Sequence, residues 1–359
     1  MSTPDSPELI APDRGLDATT TAYPLVVRAV LLAPLHETPG GLPDEATHLA
    51  ARTVAALNEV ARWANDGQSA DPTACAWLGY LRWAVANGAR LPSDAPHPPT
   101  DDFDRDHPLL AQPGEHAGDS FAALATGALG EVVRPVLPRA GSPEVLARTA
   151  PYGLLPNIGW KSLVALAVDS AAITHGSPES QTAAVAMALA VHAAARAAEI
   201  NASLTEVVAE TARVCELVTR PAPVTLGLLT RCADPAARED LLDAAAAGTA
   251  ASEPELAASY ALALGLAALL AVEGESGNRE ENDVARRALG RLPGSGPVAR
   301  AARTAAVTVA AARWPHPSAE GAEDRSGAGH GHDAARSGTR DAQAELEQLA
   351  AEWNARWRP

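Results

Sequence analysis

Alanine fills most of the apolar positions of this chain, and that restricts the fold more than any single motif. Residues 183 to 198 read AAVAMALAVHAAARAA, alanine dominates again over 301 to 312, and aromatic residues are only 4% of the 359-residue sequence. Small side chains gain little from burial one at a time. A core made of them must therefore come from helices that approach closely, and alanine is the residue that most favours the helix. No segment alternates like a strand, and no fixed-period repeat is present. The expected fold class is all-α, a single compact helical domain, and the length is ample for a sizeable core.

Composition excludes several functions. The formal charge of −16 and a pI near 5.0 repel phosphate backbones, and the basic residues are scattered, Lys161 being the only lysine. No nucleic-acid partner is expected. Cys75, Cys215 and Cys232 form no CxxC pair and leave at least one thiol unpaired, which fits a reducing cytoplasmic location. The N-terminal MSTPDSPELIAPDRG lacks the positive start and apolar run of a signal peptide. Apolar stretches such as Leu262 to Val272 read as too short to span a bilayer, so no membrane partner is expected.

The chain divides into a polar, Pro-rich tail at 1–21, a helical domain at 22–315, a low-complexity linker at 316–340 and a terminal helix at 341–359. A first helix over Leu25 to Leu32 should stop near Pro34, because proline lacks the donor the ladder needs. Leu49, Val54, Leu57 and Val60 recur at helical spacing after Asp44 and Glu45, predicting a helix over 44 to 63. Further helices are expected at 72–87, 119–129, 160–173, 178–198, 203–218, 235–247, 254–273, 279–290 and 297–313. In the terminal segment Ala342, Leu346, Leu349, Trp353 and Trp357 define one apolar face, which can dock on its own domain or serve as a site for a protein partner.

Three segments occur in a telling order: GDSFAALATGALGEVV at 118–133, ARTAPYGLLP at 147–156, and a helix pair around Thr174, His175, Gly176 and Pro178. Together they resemble the ADP-ribosylglycohydrolase family. Arg148, Ala150, Pro151, Gly153 and Leu154 keep that family's Met-Arg-x-x-Pro segment, and Thr174-His175-Gly176 keeps its Thr-His-Gly turn. The resemblance implies an all-helical domain that hydrolyses an ADP-ribosyl bond with two magnesium ions held by carboxylates. Such hard cations require oxygen ligands. It also implies an ADP-ribose-type ligand, and magnesium as the cofactor if the chain is active.

Against the family's motifs the sequence is depleted. The early metal motif falls on Pro43-Asp44-Glu45-Ala46, which makes Asp44 and Glu45 the candidate metal ligands. Acids in a first helical turn also stabilise the helix dipole, and that reading accounts for them equally. The ligand-binding positions fall on Glu37, Ser142 and Arg148, the first in His36-Glu37 and the others in a loop that has lost its glycines. Glu144 in that loop would repel a diphosphate. The C-terminal motif falls on Leu292 to Ala299, where both aspartates are missing. No catalytic residue is assigned.

Elsewhere, Thr100-Asp101-Asp102-Phe103-Asp104-Arg105-Asp106 reads as a solvated acidic loop, and Glu273, Glu275, Glu280, Glu281 and Asp283 as a surface connection. His330-Gly331-His332 reads as an incidental pair in a Gly-rich tail, and His175 as a helix-opening residue serving packing. The leading expectation is a pseudoenzyme that lost its dinuclear site and binds a ligand or protein. The alternative is an active Mg-dependent hydrolase that removes ADP-ribose from a modified side chain or small molecule.

Overall fold

A computed structural model describes residues 9–38, 42–114, 116, 118–218, 220, 222–248, 253–273, 282–315 and 333–358. Its helices are α1 (Tyr23–His36), α2 (Glu45–Asn65), α3 (Pro72–Ala86), α4 (Asp102–Asp106), α5 (Pro108–Ala111), α6 (Asp119–Leu124), α7 (Val145–Thr149) and α8 (Trp160–Ala172). They continue with α9 (Pro178–Ile200), α10 (Leu204–Cys215), α11 (Pro223–Ala233), α12 (Pro235–Ala246), α13 (Ala257–Glu273), α14 (Asn282–Arg291), α15 (Pro297–Arg313) and α16 (Asp333–Trp357). Among the described residues β pairing is limited to two isolated bridges, Leu16 with Pro156 and Glu131 with Arg134. The fold is all-α.

The alanine-rich runs form its centre. α9 is buried continuously from Ser180 to Ala195, and α13 from Ala261 to Val272. A helix without a polar face must be surrounded, and α9 is packed by α8, α10, α13 and α15. Small residues set the spacing: a Cβ on Gly265 of α13 would stand 2.6 Å from the carbonyl oxygen of Ala302 on α15. Two helical segments, Pro178–Ile200 and Pro254–Glu273, are after all long and apolar enough to cross a membrane by length and composition. In each, 78% of the apolar window is buried inside the protein, as expected of core helices.

The structure departs from the sequence expectations at several places, and the helix expected over 119–129 ends at Leu124. α1 runs through Pro34 to His36 and closes in a tight final turn in which the Glu37 and Thr38 amides donate to the Pro34 and Leu35 carbonyls. Residues 9–21 are not a free tail: Leu9, Ile10 and Leu16 are in the main core, and the Asn157 amide donates to the Leu16 carbonyl at 3.0 Å. α11 over 223–233 and the short α4, α5 and α7 were not anticipated. α16 starts at Asp333, inside the segment expected to be linker.

α16 lies along α1 and α2. Its Ala342, Leu346, Leu349 and Trp353 are buried, and the Trp353 indole N–H donates to the Tyr23 hydroxyl at 2.9 Å, which donates in turn to the Leu154 carbonyl at 2.7 Å. Glu345 accepts the Leu109 and Leu110 amides, each at 3.0 Å. The acidic segment at 100–106 is anchored on one side, while Asp102 and Asp106 stay exposed. Asp101 caps α4, Arg82 holds Asp101 at 2.6 Å, and Arg52 holds Asp104 at 2.7 Å. Glu273 accepts the Leu204 amide at the start of α10, while Glu275, Glu280, Glu281, His330 and His332 lie outside the described residues.

Candidate functional site

The first turn of α6 gathers two of the residues singled out by sequence, Glu45 and Ser142. Gly118 precedes this helix, and the amides there have no carbonyl of their own turn to bond. Glu45, at the first position of α2, accepts the Gly118 amide at 3.3 Å. Glu144 arrives from the opposite side, and its Oε1 accepts the Ser120 amide at 3.2 Å, the Ser120 hydroxyl at 3.1 Å and the Ser142 hydroxyl at 2.6 Å. The chain's own carboxylates thus occupy a place where backbone amides would attract an anion.

Asp119 ties this turn to the 141–144 loop. Its Oδ2 accepts the Gly141 amide at 2.8 Å and the Ser142 amide at 2.9 Å, while its own amide donates to the Ser142 Oγ at 2.8 Å. Burial alone would raise the Asp119 pKa. The amides of Ser142 and Gly141, with His175 nearby, outweigh it and hold the carboxyl below the usual range.

Behind the loop runs a proton-ordered relay. The buried Arg148 donates from Nη2 to the Thr174 Oγ1 at 2.6 Å and to the Ala171 carbonyl at 3.2 Å. The Thr174 hydroxyl then donates to the His175 Nδ1 at 2.8 Å, since the Ser142 carbonyl, 2.9 Å from Nε2, can only accept. The Ser142 carbonyl fixes a proton on Nε2, and the lowered pKa of the buried ring favours the neutral form in which Nδ1 accepts from Thr174. The His175 pKa is lowered, chiefly by burial and further by Arg148, against the opposing pull of Glu144. Both ring nitrogens are committed, so the imidazole crosslinks the loop to α8 and has no lone pair free to act as a base. Arg148 also lies over the Tyr80 ring, 5.0 Å from its centroid.

The remaining candidates go elsewhere. Asp44 caps α2, its Oδ1 accepting the Thr47 amide and hydroxyl, each at 3.0 Å. Glu37 follows the end of α1 and accepts from the Arg303 Nε of α15 at 2.9 Å. Burial raises the Glu37 pKa, and Arg303 offsets only part of the effect. Ser295 is exposed in the connection to α15, and the first turn of that helix, which begins at Pro297, carries no acid.

A family model described as ADP-ribosylglycohydrolase matches residues 14–220 of the 359. The chain belongs to the ADP-ribosylglycohydrolase family. A search of curated proteins finds no match. The family match includes Glu37, Asp44, Glu45, Ser142, Arg148 and His175, and ends before the segment from Leu292 to Ala299.

Among the described residues, those that fall on the family's motifs do not fit the two magnesium ions that the family uses. Mg2+ takes oxygen ligands in near-octahedral array, usually one or two carboxylates completed by waters, and those carboxylates must be free to face it. Here Asp44 is used as a cap, Glu45 holds a backbone amide, Glu37 is bound to a guanidinium, and α15 presents no acid in its first turn. Among the described residues no group of three His, Cys, Asp or Glu side chains is placed to hold a metal.

Asp119, Ser120 and Glu144 were not picked out as site residues by sequence reasoning. Gly118-Asp119-Ser120 is a helix start with unpaired amides, and that was the available signal for an acid docking on it. Which acid docks there depends on tertiary structure.

Proposed function

We propose that this chain is a non-hydrolytic ADP-ribosylglycohydrolase-family protein, a pseudoenzyme retained as a binding module. One observation carries the reading: the three carboxylates that correspond to the family's metal and ligand positions are each engaged by a donor of the chain itself. Asp44 holds Thr47, Glu45 holds the Gly118 amide, and Glu37 holds Arg303. The Arg303 guanidinium takes up the Glu37 carboxylate, which the resemblance makes a ligand-binding position. Glu144, turned inward to the start of α6, adds negative charge where a diphosphate would need amides.

The test is calorimetric titration of ADP-ribose into the purified protein with and without Mg2+, alongside a chromatographic assay for release of ADP-ribose from ADP-ribosylated arginine. The expected result is no turnover and no Mg2+-dependent binding. Binding that requires Mg2+, or release of ADP-ribose, would restore the hydrolase reading.

A further inference from the structure

Away from the α6 turn, the second half of α2 forms a cavity of about 180 Å³ with α3, α4 and α16. Asn58 lines it and is 3% exposed, yet neither its Oδ1 nor its Nδ2 has a hydrogen-bond partner among the described residues. The Arg52 Nε beside it is also unpartnered, its Nη2 being taken by Asp104 at 2.7 Å. Buried amides left unsatisfied are costly and uncommon in folded proteins. The side-chain amide of Asn58 is therefore a recognition group in search of a complement.

Its chemistry narrows that complement. A carboxamide presents an acceptor and donors side by side in one plane, and it is matched by another adjacent donor–acceptor pair, as when asparagine reads the edge of adenine. Charge gives little bias to either sign, since the lining carries Arg52, Arg62, Arg82 and Arg356 against Glu59, Asp101, Asp102, Asp106 and Glu352. Size limits the ligand too. The cavity is smaller than the roughly 300–1,000 Å³ of pockets for drug-sized molecules, but several times the roughly 30 Å³ share of one water. Gly79 leaves the α3 wall without a side chain, and Phe103 contributes an aromatic ring from α4.

We propose that this cavity binds a small, uncharged, planar molecule through an adjacent donor–acceptor edge, that of a primary carboxamide or a nucleobase, read by Asn58. The site shares no residue with the turn around Gly118. It stands independently of whether the family's reaction survives. One of its walls is α16, through Leu349 and Glu352, so the site is complete only with the terminal helix docked.

Cys75 lines the same cavity and is partly accessible, whereas Cys215 and Cys232 are buried. Its alkylation by N-ethylmaleimide, followed by mass spectrometry on the full chain, reports occupancy. Burial, with Glu59 and Asp71, pushes this thiol up to about 11, so the reaction is run at alkaline pH. Benzamide and adenine carry the required edge, and benzoate and 9-methylpurine serve as controls without it. At about 10 mM, enough to reveal millimolar binding, benzamide, adenine or both should slow alkylation several-fold while the controls do not.

Asn58→Leu, close in size but without the amide, should abolish the protection, and Gly79→Leu, which fills the cavity from α3, should do the same. Protection by benzamide alone would assign a carboxamide ligand, by adenine alone a nucleobase, and by both the shared edge. The proposal is overturned if neither compound protects, if the controls protect equally, or if Asn58→Leu remains protected; the first result would leave the cavity to water only.

Discussion

The Glu144 carboxylate rests against Gly118 so closely that a Cβ added to the glycine would stand 2.3 Å from the Glu144 Cδ. A flexible side chain usually yields to such a contact. Here the carboxylate is held by Ser120 and Ser142, so moving it sacrifices those bonds and leaves helix-start amides unsatisfied. Gly118→Ala is expected to cost about 1–3 kcal/mol in urea unfolding. Adding Glu144→Ala should change the cost non-additively, because the double variant no longer contains the clash.

Asp44 separates cap from metal ligand. Asparagine caps a helix as well as aspartate does but is a poorer ligand for Mg2+. Asp44→Asn should therefore leave stability within a few tenths of a kcal/mol, and Asp44→Ala should lose about 1 kcal/mol. Thermal melts with and without Mg2+ should coincide for the wild type and both variants. A Mg2+-dependent rise in Tm that Asp44→Asn removes would count against the cap as the whole role of this residue.

These two acids show what the sequence could and could not carry. α2 was legible because its apolar residues repeat at helical spacing behind an Asp-Glu start, and both acids then do helix-terminal work, Asp44 within α2 and Glu45 at the start of α6. α11 was not, because prolines crowd its start at 221 and 223 and Gly227 interrupts its apolar period. Leu9, Ile10 and Leu16 were hidden by the polar residues around them, though a few apolar side chains can anchor such a segment once a groove exists to receive them. Glu144 is visible in the sequence as an acid in the 142–148 loop. Its inward direction depends on Ser120, 24 residues away, a long-range relation that no local pattern encodes.

Glu37 and Arg303 join the end of α1 to α15, with the Glu37 side chain 8% exposed and that of Arg303 31% exposed. Breaking a fully buried pair costs roughly 3–5 kcal/mol, and partial exposure of the arginine should reduce this to about 2 kcal/mol for Arg303→Met. Without its partner the Glu37 carboxyl has a pKa raised further above 4.5 by burial. The folded variant then holds a proton that its unfolded chain has already released, so its stability should fall as pH rises above 4.5, more steeply than in the wild type. Glu37→Gln in the same background should flatten that slope in urea titrations at several pH values.

His48 and His192 set a second pH limit, in the opposite direction. Burial lowers both from 6.5 to about 4, with Arg52 adding to the effect at His48 and Arg196 at His192. Between those values the unfolded chain binds protons that the folded chain excludes, so stability is lost as pH falls from about 6.5 to about 4, by up to about 3 kcal/mol per histidine. The His192 Nδ1 lies 3.2 Å from the Gly153 carbonyl, and asparagine can keep that donor without titrating. His192→Asn should therefore reduce the stability difference between pH 5 and pH 7, measured by urea unfolding.

The path from Trp353 through Tyr23 to the Leu154 carbonyl couples the terminal helix to the core, because one hydroxyl both accepts the indole N–H and donates onward. Tyr23→Phe breaks both bonds and leaves a buried N–H and a buried carbonyl without this partner, at an expected cost of about 1–3 kcal/mol. Trp353→Ala removes the fully buried ring and should cost about 3–5 kcal/mol. Since α16 also walls the cavity beside Cys75, loosening it should speed alkylation of that thiol before the rest of the domain unfolds. Faster Cys75 modification in Trp353→Ala, at a urea concentration where the α9 amides remain protected from hydrogen exchange, would show that α16 undocks as a unit. Simultaneous loss of both signals would instead place α16 within the same cooperative unit as the core.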